Sequence, residues 1–227
     1  MNQTDISQSI GLSPFLQKHS TLIRIWHWLT FITITTLITT VLLASTALEP
    51  KKNIKLVQER LANKGITVTD EQAYSVSHSY DDKMWDFHKL LGYGLAFLLL
   101  SRIIIELVQS GDEKAGARIK KALKLNPQTV DDQKIKKHYL LVKRGYFVFY
   151  ALLLLIVLTG LGIAFSNDVA FLDHNHRLIK QIHSVCQYLM YGFVVLHLLG
   201  VIISDITHSK GIVSGMINGN KSNGKGL

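Results

Sequence analysis

Apolar residues gather in four stretches that contain no Asp, Glu, Lys or Arg: Ile25 to Leu48, Leu90 to Ser101, Gly145 to Asn167 and Gln181 to Ser204. Three of them reach the ~20 residues that cross a hydrocarbon core as a helix, and the second does so by running past Arg102 to Val108. Backbone amides in lipid must be satisfied within a helix or a closed barrel, and nothing in this chain alternates with the period of a strand. The pattern predicts an all-α membrane protein, a bundle of four transmembrane helices with spans at about 22–48, 84–109, 143–166 and 178–206.

Composition agrees with this reading. The 227 residues are 48% apolar and include three prolines and one cysteine, which disfavours a barrel, a disulfide scaffold and a disordered chain. A net charge of +9 would fit a nucleic-acid partner, but its distribution does not. The N-terminal arm carries +1, the segment from Arg102 to Arg144 carries +6 and the tail after Ser204 carries +2, while the two other connections balance to zero. All the excess lies on one side of a four-span topology. By the positive-inside rule that side is the cytoplasm, which predicts a multi-pass protein of the bacterial inner membrane with both termini cytoplasmic. The partner implied is membrane lipid, with no nucleic acid.

The first span is expected to be retained rather than cleaved, because its polar arm and apolar stretch both exceed those of a signal peptide. The expected organisation is a cytoplasmic arm at 1–21, a membrane domain at 22–210 and a flexible cytoplasmic tail at 211–227.

The long connections carry helical patterns of their own. In the first outer connection Ile54, Val57, Gln58 and Leu61 share one face, Lys64-Gly65 reads as a stop, and Thr69 with Gln72 resembles a capping box opening a second short helix. Asp81 or Asp82 would then cap the second span. The connection reads either as a folded surface loop or as a docking platform for an outer partner. On the inner side, Lys114 to Leu125 sets Ala115, Ile119, Ala122 and Leu123 against Arg118, Lys120, Lys121 and Lys124, the pattern of a helix lying on anionic headgroups before Pro127.

Ten histidines are present, and depth in the bilayer separates them. His19, His78, His138, His174, His176 and His208 fall in loops or at span ends, and His174-Asn175-His176 is too short a motif to define a metal site. His27, His88, His183 and His197 lie inside spans, where an ionisable side chain is costly and points to function. One such histidine alone fits a hydrogen bond to a neighbouring helix equally well. The set is more specific. His183 and His197 are 14 residues apart on the last span, hence nearly on one face and ~21 Å apart along the axis. Following the chain through the membrane puts His27 at the depth of His197 on the inner side and His88 at the depth of His183 on the outer side. Paired imidazoles from facing helices suit bis-histidine haem, whose iron then has both axial positions filled and is left with electron transfer. The expected cofactors are two b haems, outer on His88 and His183 and inner on His27 and His197. Cys186 is intramembrane and there is no CxxCH, so haem would be held without a covalent link.

Around these ligands, Gly92, Gly160, Gly162 and Gly200 are points where a porphyrin could approach backbone, or simply where helices pack closely. Arg24, Lys143 and Arg144 near the inner level, and Lys83, Arg177 and Lys180 near the outer one, read either as propionate partners or as snorkelling anchors. The threonines from Thr30 to Thr40 either back-bond to their own helix or line a polar interior. Trp26, Trp28, Trp85, Tyr93 and Tyr188 fit an interfacial belt, a core or cofactor contacts.

The stretch Arg24-Ile25-Trp26-His27-Trp28 at span one, His88-Lys89-Leu90-Leu91-Gly92-Tyr93 at span two and the 14-residue histidine pair in the last span resemble the b-type di-haem cytochrome subunit of membrane-bound nickel-iron hydrogenases. The wider group includes bacterial cytochrome b561 and the gamma subunits of formate dehydrogenases, and the resemblance covers about residues 18 to 210. It implies the same four ligands in the same two pairs. It also implies outer-side iron–sulfur and hydrogenase-type catalytic subunits as electron donors and membrane quinone as acceptor, with Ser204, Asp205 and His208 as quinone contacts. A homodimer is compatible with this plan. The alternative is a stand-alone cytochrome passing electrons from superoxide or a soluble carrier to quinone. A haem-free bundle, such as a transporter or assembly factor, is a third reading.

Overall fold

The computed structural model describes residues 20–108, 130–207 and 212–219, all of them helix or short connection. Among the described residues seven helices follow in order: α1 Thr21–Ser45, α2 Pro50–Ala62, α3 Asp70–Val108, α4 Val130–Ala164, α5 Ala170–His174, α6 His176–Thr207 and α7 Ile212–Asn218. Four of them are long and apolar enough to cross a membrane, with spans on Thr21–Ser45, Asp70–Val108, Leu140–Ala164 and His176–Ile206.

The chain divides into two compact units. One comprises residues up to His27, Leu99–Ile156 and His183 onward; the other comprises Trp28–Leu98 and Val157–Ile182. Each takes a segment from all four long helices. In the first, Trp26, Leu99, Leu153, Cys186 and Met190 are buried. In the second, Ile34, Ala44, Ala73, Leu95 and Val157 are buried together with Thr30, Thr40, Ser77 and Ser166. Gly162 is the point of closest approach there: a Cβ at that position would lie 3.2 Å from Ile179 Cγ2. Gly162 therefore brings two helices together rather than leaving room for a cofactor.

Large apolar side chains point outward along every span, among them Phe97, Leu107, Phe147 and Leu196, each 70% exposed or more. Water would make this an aggregation surface, whereas acyl chains make it the lipid contact.

The outer connection is built by local chemistry. Glu49 caps α2 by accepting hydrogen bonds from the Lys51 and Lys52 amides, with Pro50 at the first helical position where its missing N–H costs nothing. The helix stops at Asn63, and Gly65 takes the left-handed conformation, φ +76°, that follows a helix end. The capping box forms as its spacing predicts: the Thr69 amide donates to Gln72 Oε1 at 3.0 Å, and the Gln72 amide donates to Thr69 Oγ1 at 3.2 Å. Gln58 ties α2 to this start by donating to Asp70 Oδ1 at 2.7 Å.

Several boundaries differ from the sequence expectation. The helix opened at Thr69 is not a separate short one; it continues without a break into the second span, and neither Asp81 nor Asp82 is a cap. Both aspartates serve inside α3, Asp81 accepting from Trp85 Nε1 at 3.2 Å and Asp82 pairing with His78 Nδ1 at 3.1 Å. These contacts one turn apart let polar residues continue a helix that the apolar pattern alone would begin at residue 84. The third helix likewise starts at Val130, ahead of residue 143. Within the stretch read as a flexible tail, Ile212–Asn218 is helical. The amphipathic segment Lys114 to Leu125 lies outside the described residues, as does most of the N-terminal arm.

Candidate functional site

In the first unit, α1 and α6 bring His27 and His197 together, with ring centres 6.3 Å apart and planes inclined at 58°. An imidazole nitrogen sits about 2 Å from a metal it binds, and the ring centre lies about 1 Å further back. Two imidazoles on opposite sides of one iron therefore hold their ring centres about 6 Å apart. The observed separation fits that requirement. Among the described residues no three His, Cys, Asp or Glu side chains cluster to hold an ion by themselves. A haem iron asks the protein for only two.

Aromatic rings line this site. Phe193 stacks on His197, with ring centres 6.2 Å apart and planes 5° from parallel, and Phe149 lies 5.2 Å from Phe193. Phe149 contacts Tyr150 at 5.4 Å, and Tyr150 contacts Trp26 at 6.1 Å. The row runs from His197 to the residue that precedes His27. It packs one face of the His197 ring and gives the site an apolar aromatic lining.

Beside Tyr150 in that row the sequence reading missed a polar group. Arg102 donates from Nε to Tyr150 Oη at 3.1 Å, pairs through Nη2 with Glu106 at 3.1 Å, and sets its guanidinium 5.8 Å from the Tyr150 ring centre. The signal was present in the numbering, since Arg102 follows His88 by the same 14 residues that separate His183 from His197.

The inner cations expected near this site are occupied differently. Arg24 donates to Ile217 O at 3.0 Å and to Thr21 Oγ1 at 3.1 Å, so it caps the C-terminus of α7. Gly219, at φ +71°, has no room for a side chain there because a Cβ would fall 2.7 Å from Arg24 Nη1. Lys143 Nζ lies 4.9 Å from the Tyr146 ring centre, and Arg144 is exposed.

In the second unit, His88 on α3 is held by Thr40 on α1, with Nδ1 and Oγ1 2.7 Å apart. The Thr40 hydroxyl has one hydrogen, and it goes to Leu37 O at 2.7 Å. The hydroxyl oxygen must then accept from His88 Nδ1–H, which fixes the tautomer and leaves Nε2 as the nitrogen with a lone pair for a metal. Trp85 packs edge-on against the His88 ring at 5.6 Å. Three other threonines of the run back-bond, Thr33, Thr36 and Thr39 donating to the carbonyls of Leu29, Ile32 and Thr35, whereas the buried Thr30 hydroxyl has no hydrogen-bond partner among the described residues. Gly92, one turn beyond His88, has nothing within 4 Å of where a Cβ would stand. Gly200, one turn beyond His197, is open in the same way.

His183 belongs to the first unit and is half-buried on α6. Arg177 and Lys180 are exposed in the first turns of α6, and Lys83 is exposed within α3. Ser204 and Asp205 are half-buried two turns beyond His197 on α6, and His208 lies outside the described residues.

Residues 18–219 match the family model of prokaryotic cytochrome b561. No curated protein and no solved structure matches the chain.

Proposed function

This chain belongs to the prokaryotic cytochrome b561 family, and on that premise, which implies b-type haem and membrane electron transfer, we propose that it carries two b haems in series across the bacterial inner membrane. His27 and His197 ligate the inner haem, and His88 and His183, matched by depth along the chain, ligate the outer one. The observation that carries the reading is the 6.3 Å between the His27 and His197 ring centres. Haem supplies a one-electron couple whose closed coordination leaves no vacant position for substrate.

The side chains do the rest. His27 and His197 fix the iron from two helices, Phe193 orients one ring, and Thr40 orients His88. Apolar side chains along the spans keep water from the path.

Electrons enter on the outer side from an iron–sulfur subunit of hydrogenase type and leave to quinone on the inner side, near Ser204, Asp205 and His208. Two features support an outer partner. The chain offers no cluster ligands of its own, with one buried cysteine. Helix α2 is capped and has no fully buried residue, and outside the half-buried Pro50, Asn53, Ile54, Val57, Gln58 and Leu61 its side chains are exposed. Both termini face the cytoplasm, on the side of the basic segments.

The test is haem stoichiometry in the purified full chain. The native protein is expected to bind about two b haems by pyridine haemochrome spectrum, and His197→Ala to retain about one, the loss being confined to the inner haem. A native chain with no b-type spectrum would end the proposal. Co-purification with an iron–sulfur subunit tests the partner.

A further inference from the structure

We propose that Arg102 is the anionic-oxygen anchor of the inner site, binding a propionate carboxylate of the haem held by His27 and His197; the proposal rests on the di-haem reading above. Arginine presents five N–H donors in a planar fork. In Arg102, Nε is taken by Tyr150 and Nη2 by Glu106, whereas Nη1 is buried and has no hydrogen-bond partner among the described residues. The side chain is only 15% exposed. A guanidinium this little exposed has lost most of its hydration, and a buried donor left without a partner is destabilising. Glu106 balances the charge but leaves the Nη1 edge of the fork unanswered. The missing partner is an oxygen anion.

Two observations say which anion. Helical arithmetic puts Arg102 on nearly the same face of α3 as His88 and ~21 Å along the axis, the displacement that separates His183 from His197 on α6. Arg102 thus shares a face of α3 with His88, towards the other end of the helix. Contacts within the unit give the same answer. Tyr150, to which Arg102 donates, begins the ring row through Phe149 and Phe193 to His197, and on its other side meets Trp26 beside His27. The aromatic row and the cation are two parts of one assembly. A propionate at the edge of the ring pairs with Nη1 while Tyr150 and Glu106 hold the fork in place.

The other source of an anionic oxygen at this depth is a phospholipid headgroup, and the test separates the two. Full-length protein is purified with both haems, and midpoint potentials are read by potentiometric titration of the α-band, with His88→Ala used to isolate the inner haem. Arg102→Gln removes the charge and Arg102→Lys keeps it. The expected results are a lower inner midpoint in Arg102→Gln, because a nearby cation favours the ferrous state, and a midpoint near native in Arg102→Lys. Reconstituted with haem dimethyl ester, the native chain should lose its inner haem to apomyoglobin faster than it loses free-acid haem, and Arg102→Gln should speed the loss of free-acid haem but add nothing with the ester, whose carboxylates are gone. An unchanged inner midpoint in Arg102→Gln at full haem content overturns the proposal. So does a faster loss of inner haem in Arg102→Gln that persists undiminished with the ester haem, which assigns Arg102 to lipid. If Arg102→Gln does not insert, the ester comparison between the native chain and Arg102→Lys decides: equal rates of inner-haem loss with free-acid and ester haem in both overturn it. Failure of the di-haem reading looks different, as absence of b haem in the native chain.

Discussion

Replacing Thr40 by Val tests the electronic coupling between the first span and His88. Valine keeps the shape of threonine and removes the oxygen that accepts the His88 Nδ1–H at 2.7 Å. That hydrogen bond draws the proton from Nδ1, makes the imidazole a stronger donor through Nε2, and so favours ferric over ferrous iron. Its loss should raise the outer midpoint. A net hydrogen-bond contribution of about 0.5–1.5 kcal/mol, if it falls on the ferric state, converts at 59 mV per tenfold for one electron into a rise of about 20–60 mV. The inner midpoint, read in the same titration, should stay where it is, and Thr40→Ser should restore the native value because serine keeps the acceptor. A buried N–H left unpaired also costs stability, about 1–3 kcal/mol, so the variant should lose its outer haem first on heating. Thr40→Val with two haems and an unchanged or lowered outer midpoint would refute the tautomer argument.

Two further outcomes follow from close packing. Gly162→Val should destabilise the second unit by about 1–3 kcal/mol, since even the first added carbon meets Ile179 at 3.2 Å; thermal denaturation followed by helical circular dichroism measures it. Gly219→Ala forces a side chain onto Arg24 and onto a left-handed backbone at φ +71°, so α7 should detach, giving faster proteolysis near residues 212–218 with unchanged haem content. If the cleavage rate does not change, Arg24 is not what holds α7.

How much of this was legible in the sequence depends on the range of the physics involved. Four spans, their order and the four intramembrane histidines were readable because hydration energy acts residue by residue and sums along a segment. The capping box at Thr69 was readable for the same reason of locality, its partners lying three residues apart. Where the second and third helices begin was not readable, because polar turns such as Asp81 with Trp85 become helical through contacts that hydropathy does not register.

The site divides in the same way. Spacing alone separated His27, His88, His183 and His197 from six peripheral histidines and offered a pairing by depth. Distances between helices decided the remainder: that His27 and His197 approach to 6.3 Å, that one threonine of a repetitive run turns its oxygen to His88, and that Arg102 sets a buried N–H beside the ring row through Tyr150. Depth is a property of one strand of sequence in one solvent. Which side chains meet is a property of rotation and separation between helices, and those are set by packing of many residues at once, at Gly162 and along the aromatic row above all.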